Sequence, residues 1–420
     1  MGKILIKKAR VIDSVTQTDK ITDILLENNI IKAIDNNLIA DDGETKIIEQ
    51  PGLILGHGLI DLYSHSGEPG FEERETLNTL LAAAEAGGFS QINILPDTIP
   101  TIDNPAGVNF LNHKISSLSK KIKVNLWGAL TVNLTGEKMT ELAELERSGI
   151  VGFTNSKTIE NLALLRRILE YLKPFKTPIA LFANNRQLRG SGVMREGVAS
   201  IAFGLPGNPV ITETTALAAI LELVAAVGIP VHLMRISTAR GVELIAAAKA
   251  KGLPVSASTT WLHLITNTEA IASYDPNLRL EPPLGNPEDQ QALIEGVKEG
   301  VLEAIAIDHQ GYTYEEKTVS FGEAPPGAIG LELALPLLWS KLVTTELISP
   351  LQLWQSLSQN PAQILLQNLP SISVGNNPDL VLFNHHEKWQ VSPKNLNSLC
   401  YNTHLLGQEI TGKIVLIDKC

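Results

Sequence analysis

Cysteine is scarce in this chain: Cys400 and Cys420 are the only two in 420 residues. Two cysteines cannot form a disulfide framework, so free thiols in a reducing compartment are expected. No apolar run approaches the roughly 20 residues of a membrane span. The opening stretch, MGKILIKKARVID, lacks the apolar core and small-residue cleavage site of a secretory signal. Basic residues are also in deficit, 34 against 45 acidic, for a formal net charge of -11 and a pI near 5.4. That balance argues against nucleic acid or an anionic membrane as the main partner. Short-period repeats and low-complexity segments are absent. The expectation is a soluble, cytoplasmic protein with neither a membrane nor a nucleic-acid partner.

What is present is an ordinary globular composition, 44% hydrophobic and 19% charged. The length suits a large barrel of roughly 250 residues or more with a smaller satellite. Both ends read as β-structure. Near the N-terminus, ILIKKARVID and DILLENNIIKAID are rich in β-branched residues with Asn and Asp between them; DLVLFN, EKWQV and GQEITGKIVLID repeat that texture near the C-terminus. A single small β-sandwich satellite built from residues 1–55 and 371–420 is expected. In between, apolar strand-like pieces alternate with helical ones: 59–65, 89–96, 124–131, 149–155, 178–184, 230–237, 254–260 and 304–310, with helices such as 73–86, 159–171, 214–226, 238–250 and 289–299. Eight such units predict an α/β fold, a (β/α)8 TIM barrel over 56–370, in preference to a doubly wound open sheet. Active sites of such barrels are built at the C-terminal ends of the strands.

One strand end carries the most chemistry. Residues 59–70 read LIDLYSHSGEPG. With GGFSQINILPDT at 87–98, GVMREG at 192–197, VHLMRISTARGVELI at 231–245, NLRLEPPL at 277–284, AIAIDH at 304–309 and FGEAPPGAIGLELALPL at 321–337, the chain resembles the dihydroorotases of the amidohydrolase superfamily over nearly its full length. The resemblance implies a metal-dependent hydrolase barrel. In that family, zinc held by His and acidic side chains at the strand ends lowers the pKa of bound water to about 7, and an aspartate after the eighth strand moves protons.

The family motif D-x-H-x-H-x-R-E-P-G appears here with Tyr63 at the first His position, His65 at the second and Gly67 at the Arg position. Asn155, Phe182 and Arg235 stand at the other ligand positions, and the final aspartate is kept as Asp308. His65 and Asp308 are therefore the retained metal positions, and Asp308 is a relic of the acid/base. The substrate side is altered as well: the positions that would offer donors to a substrate carboxylate are Gly67, Asp97 and Glu281, with Tyr312 where a further His is expected. A scaffold kept while metal ligands and substrate donors change together implies lost catalysis. Without a metal, Asp308 needs another cation, and Arg235 is expected to face it.

The leading expectation is thus a dihydroorotase-like pseudoenzyme, without a cofactor, serving as a scaffold or regulator in pyrimidine biosynthesis. The resemblance implies aspartate transcarbamoylase as partner and self-association as a homo-oligomer. Two alternatives stand beside it. One is an active dihydroorotase or related cyclic amidohydrolase with an atypical zinc site, drawing on Tyr63, His65, Asn155 and Asp308. The other is a binding module that uses the old pocket, with Arg235 as an anion anchor.

Overall fold

A computed structural model describes residues 2–40, 45–118 and 122–415; Cys420 lies outside the described residues. The N-terminal strands are β1 (Lys3–Asp13), β2 (Thr18–Glu27), β3 (Ile30–Asp35), β4 (Lys46–Ile48) and β5 (Leu53–His57). After Gly58 the chain enters β6 (Leu59–Ser64), β7 (Phe89–Ile94), β8 (Lys123–Ala129), β9 (Gly152–Thr154) and β10 (Ile179–Phe182). Two short strands follow, β11 (Met194–Arg195) and β12 (Gly207–Asn208), then β13 (Val231–Met234), β14 (Val255–Thr260) and β15 (Ala304–Ala306). The chain ends on β16 (Leu380–Gln390) and β17 (Glu409–Val415).

Strands β6, β7, β8, β9, β10, β13, β14 and β15 form one sheet in chain order, and every neighbouring pair is parallel. A doubly wound sheet would reverse its order at a switch point; this one does not. Its two edges meet just past the ends of β6 and β15. Asp308 N donates to Tyr63 O (3.1 Å), His65 N donates to His309 O (2.9 Å), and Ile307 N donates to the buried Asp61 carboxylate (2.9 Å). The result is a closed α/β barrel. Its strands are mostly buried, β10 and β13 completely, which is why they read as largely continuous apolar runs.

Helices return the chain between strands, and their starts are written locally. Thr76, Asn104, Asn161 and Thr238 each accept a backbone N–H of the helix that follows. In the helix Leu162–Leu172, the buried residues Leu164, Leu165, Ile168, Leu169 and Leu172 recur at helical spacing on one face. The first barrel helix begins at Leu77, later than the expected residue 73, because Glu75 is drawn into a buried hydrogen-bond cluster with Ser398 and the Leu399 amide.

The satellite is one mixed sheet with strand order β17-β16-β5-β1-β2-β3, β4 also pairing β1. It joins strands from both ends of the chain around a separate apolar core that includes Ile6, Val11, Ile24, Leu55 and Leu382. The segment DILLENNIIKAID is a hairpin. Asn28 and Asn29 take φ of 52° and 63° at its turn, the conformation a tight two-residue turn requires. Several barrel strands are shorter than the sequence indicates: β9 ends at Thr154, β13 at Met234 and β15 at Ala306. The residues beyond them leave the ladder to build the site.

Candidate functional site

Three of those departures are abrupt. Ser156, Arg235 and Asp308 have φ of 47°, 56° and 53°, a region non-glycine residues seldom adopt and one concentrated at functional sites. The turns aim the side chains of β13 and β15 across the barrel mouth toward each other. Arg235 Nε and Nη2 bond the two oxygens of Asp308 at 2.8 and 2.5 Å, the paired fork geometry that only arginine supplies. Arg235 Nη1 donates to Ser156 O at 3.1 Å, and Nη2 lies 3.2 Å from His65 Nε2. The Arg235 guanidinium carbon also lies 5.4 Å from the Tyr63 ring centre and 5.3 Å from that of Phe182, within cation–π range of both. Tyr63 and Phe182 therefore form an aromatic box around the Arg235 guanidinium.

The charges are ordered in a chain. His65 Nδ1 bonds Asp97 at 2.7 Å, and its Nε2 lies 3.4 Å from Asp308. Burial alone would lower the His65 pKa, but Asp97 and Asp308 outweigh it and bring it to about 9. The contact with Arg235 Nη2 would suit a neutral Nε2 acceptor, whereas a proton on Nε2 would point to Asp308. Charge balance decides for the proton: one guanidinium beside two carboxylates leaves a buried excess of negative charge, which imidazolium cancels. Burial works against ionising Asp308 and Asp97, yet the opposing cations hold both below their ordinary values, Arg235 dominating at Asp308 and His65 at Asp97.

The remaining expected positions are not gathered around a common point. Tyr63 is fully buried; its OH bonds Ser258 (2.9 Å) and accepts the Arg235 amide (3.1 Å). Burial and the nearby Asp308 raise its pKa, so the phenol stays neutral. Asn155 turns into its own loop: Oδ1 accepts from Thr131 N and Oγ1, and Nδ2 donates to Leu134 O. The alternative donor set of Tyr63, His65, Asn155 and Asp308 is thus not assembled. Among the described residues no group of three or more His, Cys, Asp or Glu side chains is placed to hold a metal ion. Arg235, considered above as an anion anchor, has most of its N–H groups engaged within the protein.

Gly67 is held by its surroundings. A Cβ there would come within 2.5 Å of the Phe71 and Glu75 carbonyl oxygens. Gly67→Ala is expected to cost about 1–3 kcal/mol through overpacking, measured by urea unfolding; a change within error would show that the 67–75 loop adapts freely. Glu281 is neutralised by Arg189 Nη1 (2.8 Å) and also accepts a hydrogen bond from Asn184 Nδ2 (2.5 Å).

His65, Asp97, Phe182, Arg235, Glu281 and Asp308 line a cavity of about 400 Å³ whose walls include Trp261, Leu262, Leu280 and Tyr312, with Lys157 and Arg186 also contributing; Tyr63, Asn155 and Gly67 are not part of its lining. The sequence reasoning did not single out Lys157, Asn184 or Arg189. One signal was legible: an acidic Glu281 in a barrel mouth calls for a cation, and Arg189 follows the fifth strand. His309 is a structural neighbour, its Nδ1 accepting the Gly330 amide and its Nε2 3.4 Å from Glu75. His232 and His263, as expected of packed residues, are buried and hydrogen-bonded. Burial pushes their pKa values down to about 3 and about 4.

Comparison with known proteins agrees with this architecture. A sequence profile described as dihydro-orotase-like matches residues 52–241. A probable dihydroorotase-like protein of Synechocystis sp. is 41% identical over 97% of this chain and 98% of the relative. A dihydroorotase of Caldanaerobacter subterraneus subsp. tengcongensis is 35% identical over 98% of this chain and 95% of the relative. Among solved structures, L-hydantoinase (dihydropyrimidinase) from Arthrobacter aurescens superposes with a TM-score of 0.84 at 22% identity, covering 99% of this chain and 94% of that one; at that identity the likeness concerns the fold. The chain belongs to the dihydroorotase-like family of amidohydrolases.

Proposed function

We propose that this chain is a non-catalytic member of its family, a barrel that keeps the scaffold and has replaced the metal centre with an internal ion pair. The observation that carries this reading is the two-pronged Arg235–Asp308 bond, with His65 as its flank. A metal site needs converging lone pairs from at least three protein ligands. Here His65 and Asp308 already surround a guanidinium, and the ring of Phe182 offers no donor. The residues do not fit zinc. The same reading assigns a cytoplasmic scaffold or regulatory role beside pyrimidine biosynthesis, with a homo-oligomer and aspartate transcarbamoylase as the partners to test. Among the described residues no helix is long and apolar enough to cross a membrane.

The competing reading, an active cyclic amidohydrolase, draws on the names of relatives such as the 35%-identical dihydroorotase. Purified full-length protein separates the two. The expected result is less than stoichiometric zinc by elemental analysis, no ring-opening of dihydroorotate, and a melting temperature unchanged by chelator. Bound zinc with chelator-sensitive turnover would overturn the proposal. The combined variant with His at positions 63, 182 and 235 and Asp at 155 is expected to gain partial metal binding but little turnover, because Gly67 and Asp97 still offer no donors to a substrate carboxylate.

A further inference from the structure

A second large cavity lies at the opposite end of the strands from the Arg235 network. It occupies about 430 Å³ where β10, β13 and β14 begin, and the first residues of those strands, Ile179, Val231 and Val255, line it. Each of the three turns that lead in places a proline directly before its strand: Pro178, Pro230 and Pro254, all part of the lining. Proline has no N–H, so these positions bring carbon rather than backbone donors to the cavity. Phe175, Ile229, Leu253 and Ile364 extend the apolar lining. Leu366 belongs to it as well. This residue follows the helix Asn360–Ile364 with φ of 56° and is 65% exposed. A leucine in the left-handed region is uncommon, and here it holds apolar surface in water at the cavity's edge.

The polar functions of this lining are unevenly used. His232 bonds Ser256 Oγ at 2.9 Å and Ser258 Oγ at 2.8 Å, and burial keeps its ring neutral. Glu303, the one acidic residue of the lining, is bonded by Lys249 Nζ and accepts the Ala257 amide at 2.9 Å. Two cations of the lining, Lys173 and Lys176, have no acidic partner among the described residues. Both are exposed and lie three residues apart in the turn after the helix Leu162–Leu172. Lys173 Nζ donates to Val227 O at 2.7 Å, which fixes the ammonium at the end of the helix Ile211–Val227, beside Gly228 of the lining. In a chain with a formal net charge of -11, this apolar cavity therefore carries a local excess of positive charge.

We propose that this cavity binds an aliphatic monocarboxylate, its chain against Phe175, Leu253, Ile364 and Leu366 and its carboxylate toward Lys173 and Lys176. The volume is that of ordinary small-molecule sites, which are likewise mostly apolar with a few polar groups. A neutral apolar ligand would leave both ammonium groups unanswered, and an amine would add to the charge already in excess. The proposal goes beyond the non-catalytic reading and stands with or without it, because no residue lines both this cavity and the mouth.

Calorimetric titration of the full-length protein with octanoate, 1-octanol and octylamine tests this. Octanoate is expected to bind at least about tenfold more tightly than octanol, the scale of a hydrogen bond to a charged group, and octylamine more weakly than either. Lys176→Ala should weaken octanoate about fivefold, the scale of one exposed ion pair, and leave octanol unchanged. Leu366→Glu, which removes apolar cover and adds a like charge, should weaken octanoate further. Both side chains are exposed, so neither substitution disturbs the core. Lys157→Ala, at the barrel mouth, should leave octanoate binding as it is. Octanol binding as tightly as octanoate overturns the proposal, as does octanoate binding that is lost with Lys157→Ala but not with Lys176→Ala. A series from butanoate to decanoate with no binder also overturns it, and leaves the cavity to a protein segment. Zinc content and dihydroorotate turnover of the same preparation report separately on the non-catalytic reading: bound zinc with turnover sinks that reading alone, whereas metal-free protein that ignores the carboxylates sinks only this one.

Discussion

Arg235→Ala is expected to lower the unfolding free energy by about 3–5 kcal/mol, the cost of leaving one partner of a buried ion pair alone. The guanidinium is 5% exposed and Asp308 17% on the side-chain scale, so little solvent is at hand to replace the lost bonds. The substitution also removes the cation between Tyr63 and Phe182 and frees the Ser156 carbonyl. Lysine at 235 should recover only part of the loss, since an ammonium cannot bond both Asp308 oxygens in a fixed fork. The double variant Arg235→Met with Asp308→Leu should recover most of it, because exchanging a buried pair for apolar groups of similar volume is often neutral or stabilising. Urea unfolding of the four proteins is the measurement. A loss below about 1 kcal/mol for Arg235→Ala would show that the pair is solvated in solution.

The second large effect is a loss of stability at alkaline pH, carried by His65. Its folded-state pKa, about 9, lies above the ordinary imidazole value of 6.5. A raised pKa stabilises the fold fully below the unfolded value, and that contribution disappears as pH rises through the folded one. Between pH 6 and pH 9.5 the protein should therefore lose on the order of 3 kcal/mol from this residue, at roughly 1.4 kcal/mol for each pKa unit. Asp308 and Asp97 act in the opposite direction. Their folded pKa values are depressed, so their contribution is present above the usual carboxylate range and is lost as pH falls through it. Stability from the network should be greatest between about pH 4 and 6.5. Unfolding measured across pH for the wild type and for His65→Gln isolates the term. The variant should be less stable at pH 6 and show a flatter alkaline limb; parallel curves would mean that His65 is neutral, accepting from Arg235 Nη2.

The sequence by itself determined the barrel and most of its boundaries. Short buried strands, repeated eight times, and the helices between them, several of them capped, are local signals, and each strand lies within or beside its expected stretch. It also pointed to the strand-end positions 63, 155, 182 and 235, because those positions follow directly from the motifs. Only the tertiary structure decided what the substitutions do together. Tyr63, Phe182 and Arg235 lie far apart in the chain, and nothing in their individual identities says that two aromatic rings should enclose a guanidinium. The left-handed turns at Arg235 and Asp308 cut two expected strands short and aimed the side chains at each other, an outcome no alternating pattern encodes. Asn155, by contrast, stays bonded within its own loop to Thr131 and Leu134. Local periodicity depends on neighbours a few residues away and is legible in one dimension. Charge pairing across a barrel mouth depends on through-space distances of about 3 Å between distant segments, and closure of the β6–β15 seam is what creates them.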